Sequence, residues 1–410
     1  MKFKGLKEAR SLLVIRDFRW LLISNPLMFA GLQIRNMAQS WLVLEETESS
    51  IWLGFVAAAP AVGVVTLALY GGALADRGNR RTILLRSRIV LSILASTTGF
   101  LVSSGNVEMW HLLIVGLGAG FAMALMGPAA QSMVMDVVGR EKLMPALTLN
   151  NTLATGFSIL GPALGGVYLA VFGLNTIFYV LGLIYLAAAI TIRFVKTNPK
   201  ADESKRMESG TDQIKQGLKY IWSTPKVRWM MIFSSTSIFV GGYPAVLPVL
   251  VREAWGIPDE LREVAFGIVL ATAGVGSITA LLTLISIGNI KNKGRLMMLA
   301  STTITTGMLI IGLAPNVYVA AVGAFFVGLA GAMFMTSVGT LIQASVEESM
   351  RGRVTSVFQM TVQLYAVGLV LGGLLTAWIG PNETILVFGV LIGLISALTF
   401  WKSPELRSAQ

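Results

Sequence analysis

Twelve apolar runs of about twenty residues or more, parted by short polar breaks, constrain this 410-residue chain more than any other feature. They lie near residues 19–45, 51–75, 82–104, 109–136, 144–172 and 174–195, and again near 228–251, 264–288, 295–314, 317–346, 353–379 and 384–401. Inside lipid no water meets the backbone, so a spanning segment must satisfy its own amides and carbonyls, which only helices and closed barrels do. Barrel strands show about ten residues of alternating polarity between turn clusters, a pattern missing here. The expectation is an all-α integral membrane protein of twelve transmembrane helices. A hydrophobic fraction of 54% and a mean hydropathy of +0.72 fit that class and not a water-soluble one.

The formal charge of +11 would suit a nucleic-acid binder, but its placement excludes that reading. Of 32 basic residues, 29 fall in alternate loops or the adjacent helix ends if the N-terminus is cytoplasmic. The rest are Arg35, within the first run, and Arg252 and Arg262, which share a loop with Glu253, Asp259, Glu260 and Glu263. Basic residues accumulate on the cytoplasmic side, so both termini are expected in the cytoplasm. The basic start, Met1 to Lys7, leads into a run without a cleavage site and reads as an uncleaved first helix.

One long polar stretch separates two sets of six runs. The organisation expected is a six-helix bundle at 1–196, a cytoplasmic linker at 197–227 and a second bundle with a short tail at 228–410. In the linker, Thr211 as cap with Ile214, Leu218, Ile221 and Trp222 on one face predicts an amphipathic helix on the inner membrane surface. The halves also match at a shift of roughly 212 residues: Gly63 with Gly276, Asp76 with Asn289, Gln131 with Gln343, Asp136 with Glu348 and Gly161 with Gly372. Matches in constant order point to duplication of a six-helix unit, and two parallel repeats place a pathway on the axis relating them.

Several chemistries are poorly provided for. The chain has no cysteine and a single histidine, His111, so disulfides, thiolate metal sites and a cysteine nucleophile are excluded, and no metal site or cofactor is expected. No phosphate-cradling loop of the Gly-x-x-x-x-Gly-Lys-Ser/Thr kind occurs, and no nucleophile and base stand at a recognisable spacing, so an enzyme is not expected.

Charge is scarce, so four charged residues among the six at 76–81 mark a tight loop at a membrane face. Gly71-Gly72-Ala-Leu-Ala-Asp76-Arg77-Gly78-Asn79-Arg80-Arg81 ends the second run and opens the third. A carboxylate at a membrane-embedded helix end needs a partner, which a helix dipole and an arginine can supply. This stretch resembles the loop between helices 2 and 3 of the major facilitator superfamily, Gly-x-Leu-Ala-Asp-Arg-x-Gly-Arg-Lys, and the resemblance extends over the whole chain. It implies that Gly72 lets helix 2 approach helix 11, that Asp76 faces the dipole of helix 11, and that Arg80 pairs with Asp136 at the inner end of helix 4. Together these four form a latch on the inner face. The pattern departs at Gly78-Asn79, where asparagine is expected to supply the positive φ of the turn.

Gly161-Pro162-Ala-Leu-Gly165-Gly166 resembles a Gly-Pro-x-x-Gly-Gly motif of the superfamily's exporters and implies a hinge, since proline removes an amide and glycines allow close packing. Arg16-Asp-Phe-Arg19, Ala38-Gln-Ser-Trp-Leu-Val-Leu44, Gly127-Pro-Ala-Ala-Gln-Ser132 and Arg351-Gly-Arg-Val354 resemble bacterial exporters similar to the enterobactin exporter and the macrolide efflux proteins. The function implied is secondary export of a small amphiphilic compound, drug- or siderophore-like, by alternating access with proton antiport, carried out by a monomer. A lipid or lysophospholipid flippase and a non-transporting membrane sensor are the alternatives.

Polar residues inside apolar runs are the candidates for a substrate cavity: Gln33, Arg35, Asn36, Gln39, Gln131, Asn150, Asn151, Gln343, Gln359 and Gln363. Their amides can bond a polar substrate without burying charge, or can equally bond one helix to another. Arg35 is expected either to face a cavity and attract an anionic group or to snorkel outward toward Glu45 or Glu46. No membrane-embedded acid stands out as a proton carrier.

Overall fold

Helices account for nearly all of the computed structural model, which describes residues 11–77, 79–139, 141–196, 210–287 and 292–403, and no strand occurs among them. The first half holds α1 (Arg16–Thr47), α2 (Ser50–Arg77), α3 (Arg80–Ser103), α4 (Met109–Val138), α5 (Leu143–Phe172) and α6 (Leu174–Arg193). The second holds α7 (Gly210–Ser223), α8 (Pro225–Ser234), α9 (Ser237–Glu253), α10 (Arg262–Ile287), α11 (Lys293–Gly312), α12 (Val317–Ser345), α13 (Glu348–Gln363), α14 (Tyr365–Ile379) and α15 (Pro381–Lys402).

Ten stretches among the described residues are long and apolar enough to cross a membrane. They correspond to all of the apolar runs except those on α1 and α5. At 32 and 30 residues, these two helices exceed the roughly 20 needed to span a bilayer. In α1 the cluster Gln33, Arg35, Asn36 and Gln39 lowers the hydropathy of the central turns.

Two runs that look continuous are broken. The seventh is split into α8 and α9 at Ser235 and Thr236, whose hydroxyls donate to the carbonyls of Ile232 (2.6 Å) and Phe233 (2.7 Å). Such back-bonding competes with the helical ladder and bends it. The eleventh is split at Leu364, where the amide bonds back to Thr361. A bond three residues back tightens the last turn of α13 before α14 begins.

The chain forms two compact units, Met1–Leu42 with Ala59–Arg206, and Val43–Ala58 with Met207–Gln410. The hairpin joining α1 to α2 thus belongs with the second half. Arg252 pairs with Glu48 and donates to the Leu44 carbonyl at 2.8 Å, and Ser50 Oγ donates to the Gly373 carbonyl at 2.9 Å. A Cβ placed on Gly54 would stand 2.7 Å from the Leu369 carbonyl oxygen, so α2 and α14 meet here only because the residue is glycine. Helix α7 also belongs to the second unit: Ile221 joins a buried cluster with Val354 and Val357 of α13. Its apolar face is therefore spent partly on protein, leaving Leu218 and Trp222 exposed.

The internal repeat reappears in packing. Gly63 of α2 lies against the backbone of α4 at Leu117, and Gly276 of α10 lies against the backbone of α12 at Phe325. Matched glycines thus make the same crossing, second helix on fourth, in each set of six.

Candidate functional site

At the start of α3, Asn79 does not take a positive φ. It is extended, with φ −68° and ψ 109°, and its side chain accepts from the Thr82 amide at 3.2 Å. Asparagine serves as the N-cap because a side-chain oxygen there satisfies an amide that the first turn leaves open. The cap sets the direction of the next residue. Arg80 Nη1 donates to both oxygens of Asp136 at 2.6 and 2.5 Å, with the two side chains 15% and 12% exposed. Asp136 lies two residues before the end of α4, so the pair binds the start of α3 to the end of α4. Arg81 reaches the other way and donates to the Arg193 carbonyl at the end of α6 at 2.6 Å, closing a carbonyl that a helix C-terminus leaves open. The surroundings of Gly72 and the side chain of Asp76 lie outside the described residues.

Residues 161–166 of α5 lie along α1. A Cβ on Gly161 would stand 2.9 Å from the Ala30 carbonyl oxygen, and one on Gly165 would stand 3.1 Å from Ile34. Pro162 stands inside the helix without breaking it. Gly161 and Gly165 therefore sit in a tight helix contact.

The polar cluster of α1 divides between two faces. Gln33, Asn36 and Ser40 follow one another along one face: Asn36 Nδ2 donates to Gln33 Oε1 at 3.4 Å, and Ser40 Oγ donates to the Asn36 carbonyl at 2.9 Å. Asn36 is exposed. Arg35 and Gln39, each 6% exposed, point into the first unit and line a small cavity with Leu91 and Leu94 of α3, Val115 of α4 and Phe178 of α6. No ion pair joins Arg35 to Glu45 or Glu46 among the described residues; its Nη2 donates to Asn36 Oδ1 at 3.0 Å.

Of the other amides, Gln131 and Gln363 are exposed. Asn150 is 7% exposed and accepts from Asn25 Nδ2 at 2.9 Å, joining α5 to α1. Asn151, Gln343 and Gln359 have side chains outside the described residues. His111 is engaged at a helix end, where Nδ1 accepts from the Glu108 amide at 3.1 Å.

Arg88 is the residue that the sequence reading placed elsewhere. Counted by sequence among the basic residues of a loop, it is 1% exposed and reaches across the first unit. Its Nη1 donates to Ser24 Oγ and, at 3.0 Å, to the Ala188 carbonyl; its Nη2 donates to Asn25 Oδ1 at 2.7 Å. One guanidinium thereby joins α3 to α1 and α6, and through Asn25 to Asn150 of α5. The available signal was phase: on a helix with 3.6 residues per turn, Arg88 lies two turns inside α3, well past the polar start at Arg80 and Arg81.

With this geometry in place, comparison with known proteins is informative. The Transmembrane secretion effector family matches residues 9–385. The Staphyloferrin A transporter of Staphylococcus aureus is 23% identical over 94% of this chain and 96% of its own. The multidrug efflux pump Tap of Mycolicibacterium fortuitum is 24% identical over 92% of this chain and 93% of its own. A crystal structure of a bacterial homologue of the human lysosomal transporter Spinster superposes with a TM-score of 0.74 at 14% identity, covering 94% of this chain and 96% of that one. The all-helical architecture is thus the twelve-helix fold of these transporters, and the polypeptide is a multi-pass membrane transporter and not an enzyme. Over nearly its whole length the chain belongs to the Transmembrane secretion effector family of the major facilitator superfamily.

Proposed function

We propose that this protein is a secondary active exporter in a bacterial inner membrane, with both termini cytoplasmic. It moves a small amphiphilic compound, drug- or siderophore-like, outward by alternating access in exchange for protons, and works as a monomer. The observation that carries the reading is the Arg80–Asp136 pair. A nearly buried ion pair that ties the start of one spanning helix to the end of another suits a latch, because breaking it leaves a charge without its partner. Gly72 and Asp76 are assigned to the same latch, and the contact of Gly161 and Gly165 with α1, together with Pro162 and Gly166, to a hinge.

Substrate contacts are assigned to Gln33 and Asn36 on the exposed face of α1 and to Gln131 and Gln363, with Asn151, Gln343 and Gln359 as further candidates. Asn150 bonds to Asn25 and supports that face from behind. The relatives named for staphyloferrin A and for multidrug efflux support the compound class.

The test is uptake into everted membrane vesicles. Labelled siderophores, macrolides and dyes are offered with and without a protonophore. Energised accumulation of at least one compound that the protonophore abolishes is expected. Binding without accumulation would overturn the transport reading in favour of a sensor; accumulation insensitive to the protonophore would overturn proton antiport.

A further inference from the structure

We infer that the cavity beside Arg35 and Gln39 is a binding site for one small inorganic anion, with chloride as its physiological occupant. The site lies wholly within the first unit and is separate from the exposed amides assigned to the transported compound.

The cavity is bordered by unmet donors. Nε and Nη1 of Arg35 and Nε2 of Gln39 are buried without a hydrogen-bond partner. All three are donors only, and both side chains line the same cavity. The other walls are hydrocarbon from Leu91, Leu94, Val115 and Phe178, with Thr98 Oγ1 already donating to its own helix at the Leu94 carbonyl, 3.0 Å away. Nearby, the hydroxyl of Tyr185 also lacks a partner, and its ring fills the space beside Gly31, one turn before Arg35.

Charge and size then select the occupant. A buried guanidinium without a counter-charge costs several kcal/mol, and no carboxylate pairs with Arg35 among the described residues. A water molecule would satisfy donors but leave the charge uncompensated; an anion does both. The cavity is about 10 Å³, room for a single water-sized occupant. That admits a halide and excludes the body of a drug or siderophore. Arg35 also donates to Asn36, which donates to Gln33, so an anion held behind α1 would fix the amides on its exposed face.

The test uses purified full-length protein and needs no transported compound. Melting is compared in sodium chloride and sodium gluconate at equal ionic strength. The wild type is expected to melt about 2–4 °C higher in chloride. The difference should vanish in Arg35→Gln and shrink in Gln39→Leu. As a readout independent of how the variants fold, crystals of the wild type are also soaked in bromide, and an anomalous peak is expected within hydrogen-bonding distance of Arg35 and Gln39. Equal melting in both salts, or a bromide found only elsewhere, would overturn the assignment.

Discussion

The interiors of the two units handle polarity in opposite ways. In the first unit the buried polar residues include Arg35, Gln39, Arg88, Asn25 and Asn150, and the network of Arg88 runs from helix to helix. In the second, the buried polar residues among those described are serines and threonines. Several of these bond within their own helix: Ser234 to the Met230 carbonyl at 2.8 Å, Ser337 to Met333 at 2.6 Å, Thr384 to Gly380 at 2.7 Å and Thr399 to Ile395 at 2.7 Å, while Ser50 and Ser237 reach the Gly373 and Thr361 carbonyls of neighbouring helices. A hydroxyl satisfied within one helix leaves that helix free to slide against its neighbours. A guanidinium that ties its own helix to two others fixes their register. Among the described residues, only the first unit is pinned from inside by a buried guanidinium.

Four substitutions test that contrast, beginning with the largest effect. Arg88→Met should destabilise the protein by about 3 kcal/mol, because Asn25 Oδ1 is left buried without its donor and the tie from α3 to α1 and α6 is lost, even though Thr191 still donates to Ser24 Oγ and to the Ala188 carbonyl. Adding Asn25→Leu should restore part of the loss; a melting temperature unchanged in the single variant would dissolve the comparison.

Arg80→Ala should reduce vesicle transport at least about tenfold while membrane expression stays intact, since removing one partner of a mostly buried pair costs about 3 kcal/mol in the state that holds it. Equal transport would reduce the pair to a structural tie.

Gly373→Leu should cost about 1–3 kcal/mol by overpacking. Hydrogen exchange should rise at the start of α2 and along α14 but not in α3 or α6, because Ser50 and Gly54 pack against this position. Smallest of all, Thr399→Val should change stability by less than about 1 kcal/mol, the lost bond being local to one helix. A large loss there would show that the second unit is pinned as tightly as the first.

Much of the fold was legible because lipid leaves the backbone few choices. Run length and loop charge were enough for the helices and the repeat, and matched glycines at 63 and 276 marked equivalent crossings. Hydropathy has no direction, however. It gave Arg88 the same weight as Arg81, though Arg81 caps the end of α6 and Arg88 sits in the centre of a bundle. It likewise grouped Gln33, Arg35, Asn36 and Gln39, which the helical phase divides between two faces. The breaks at Ser235 and Leu364 were hidden because apolar residues continue through them. Asn79 was assigned a turn when it makes a cap, since asparagine serves both.

The hairpin at residues 43–58 has a consequence for dissecting the gene. A fragment ending at the linker would look like a complete six-helix half, yet it would carry away a piece that completes the other half. Residues 207–410 expressed alone would miss the carbonyl that receives Arg252, the carboxylate that pairs with it and the hydroxyl that meets Gly373. Supplied as a separate peptide, residues 43–58 should act as a graft that restores that fragment's protease resistance. The seam along which the chain should be cut therefore differs from the boundary between its two sets of six apolar runs.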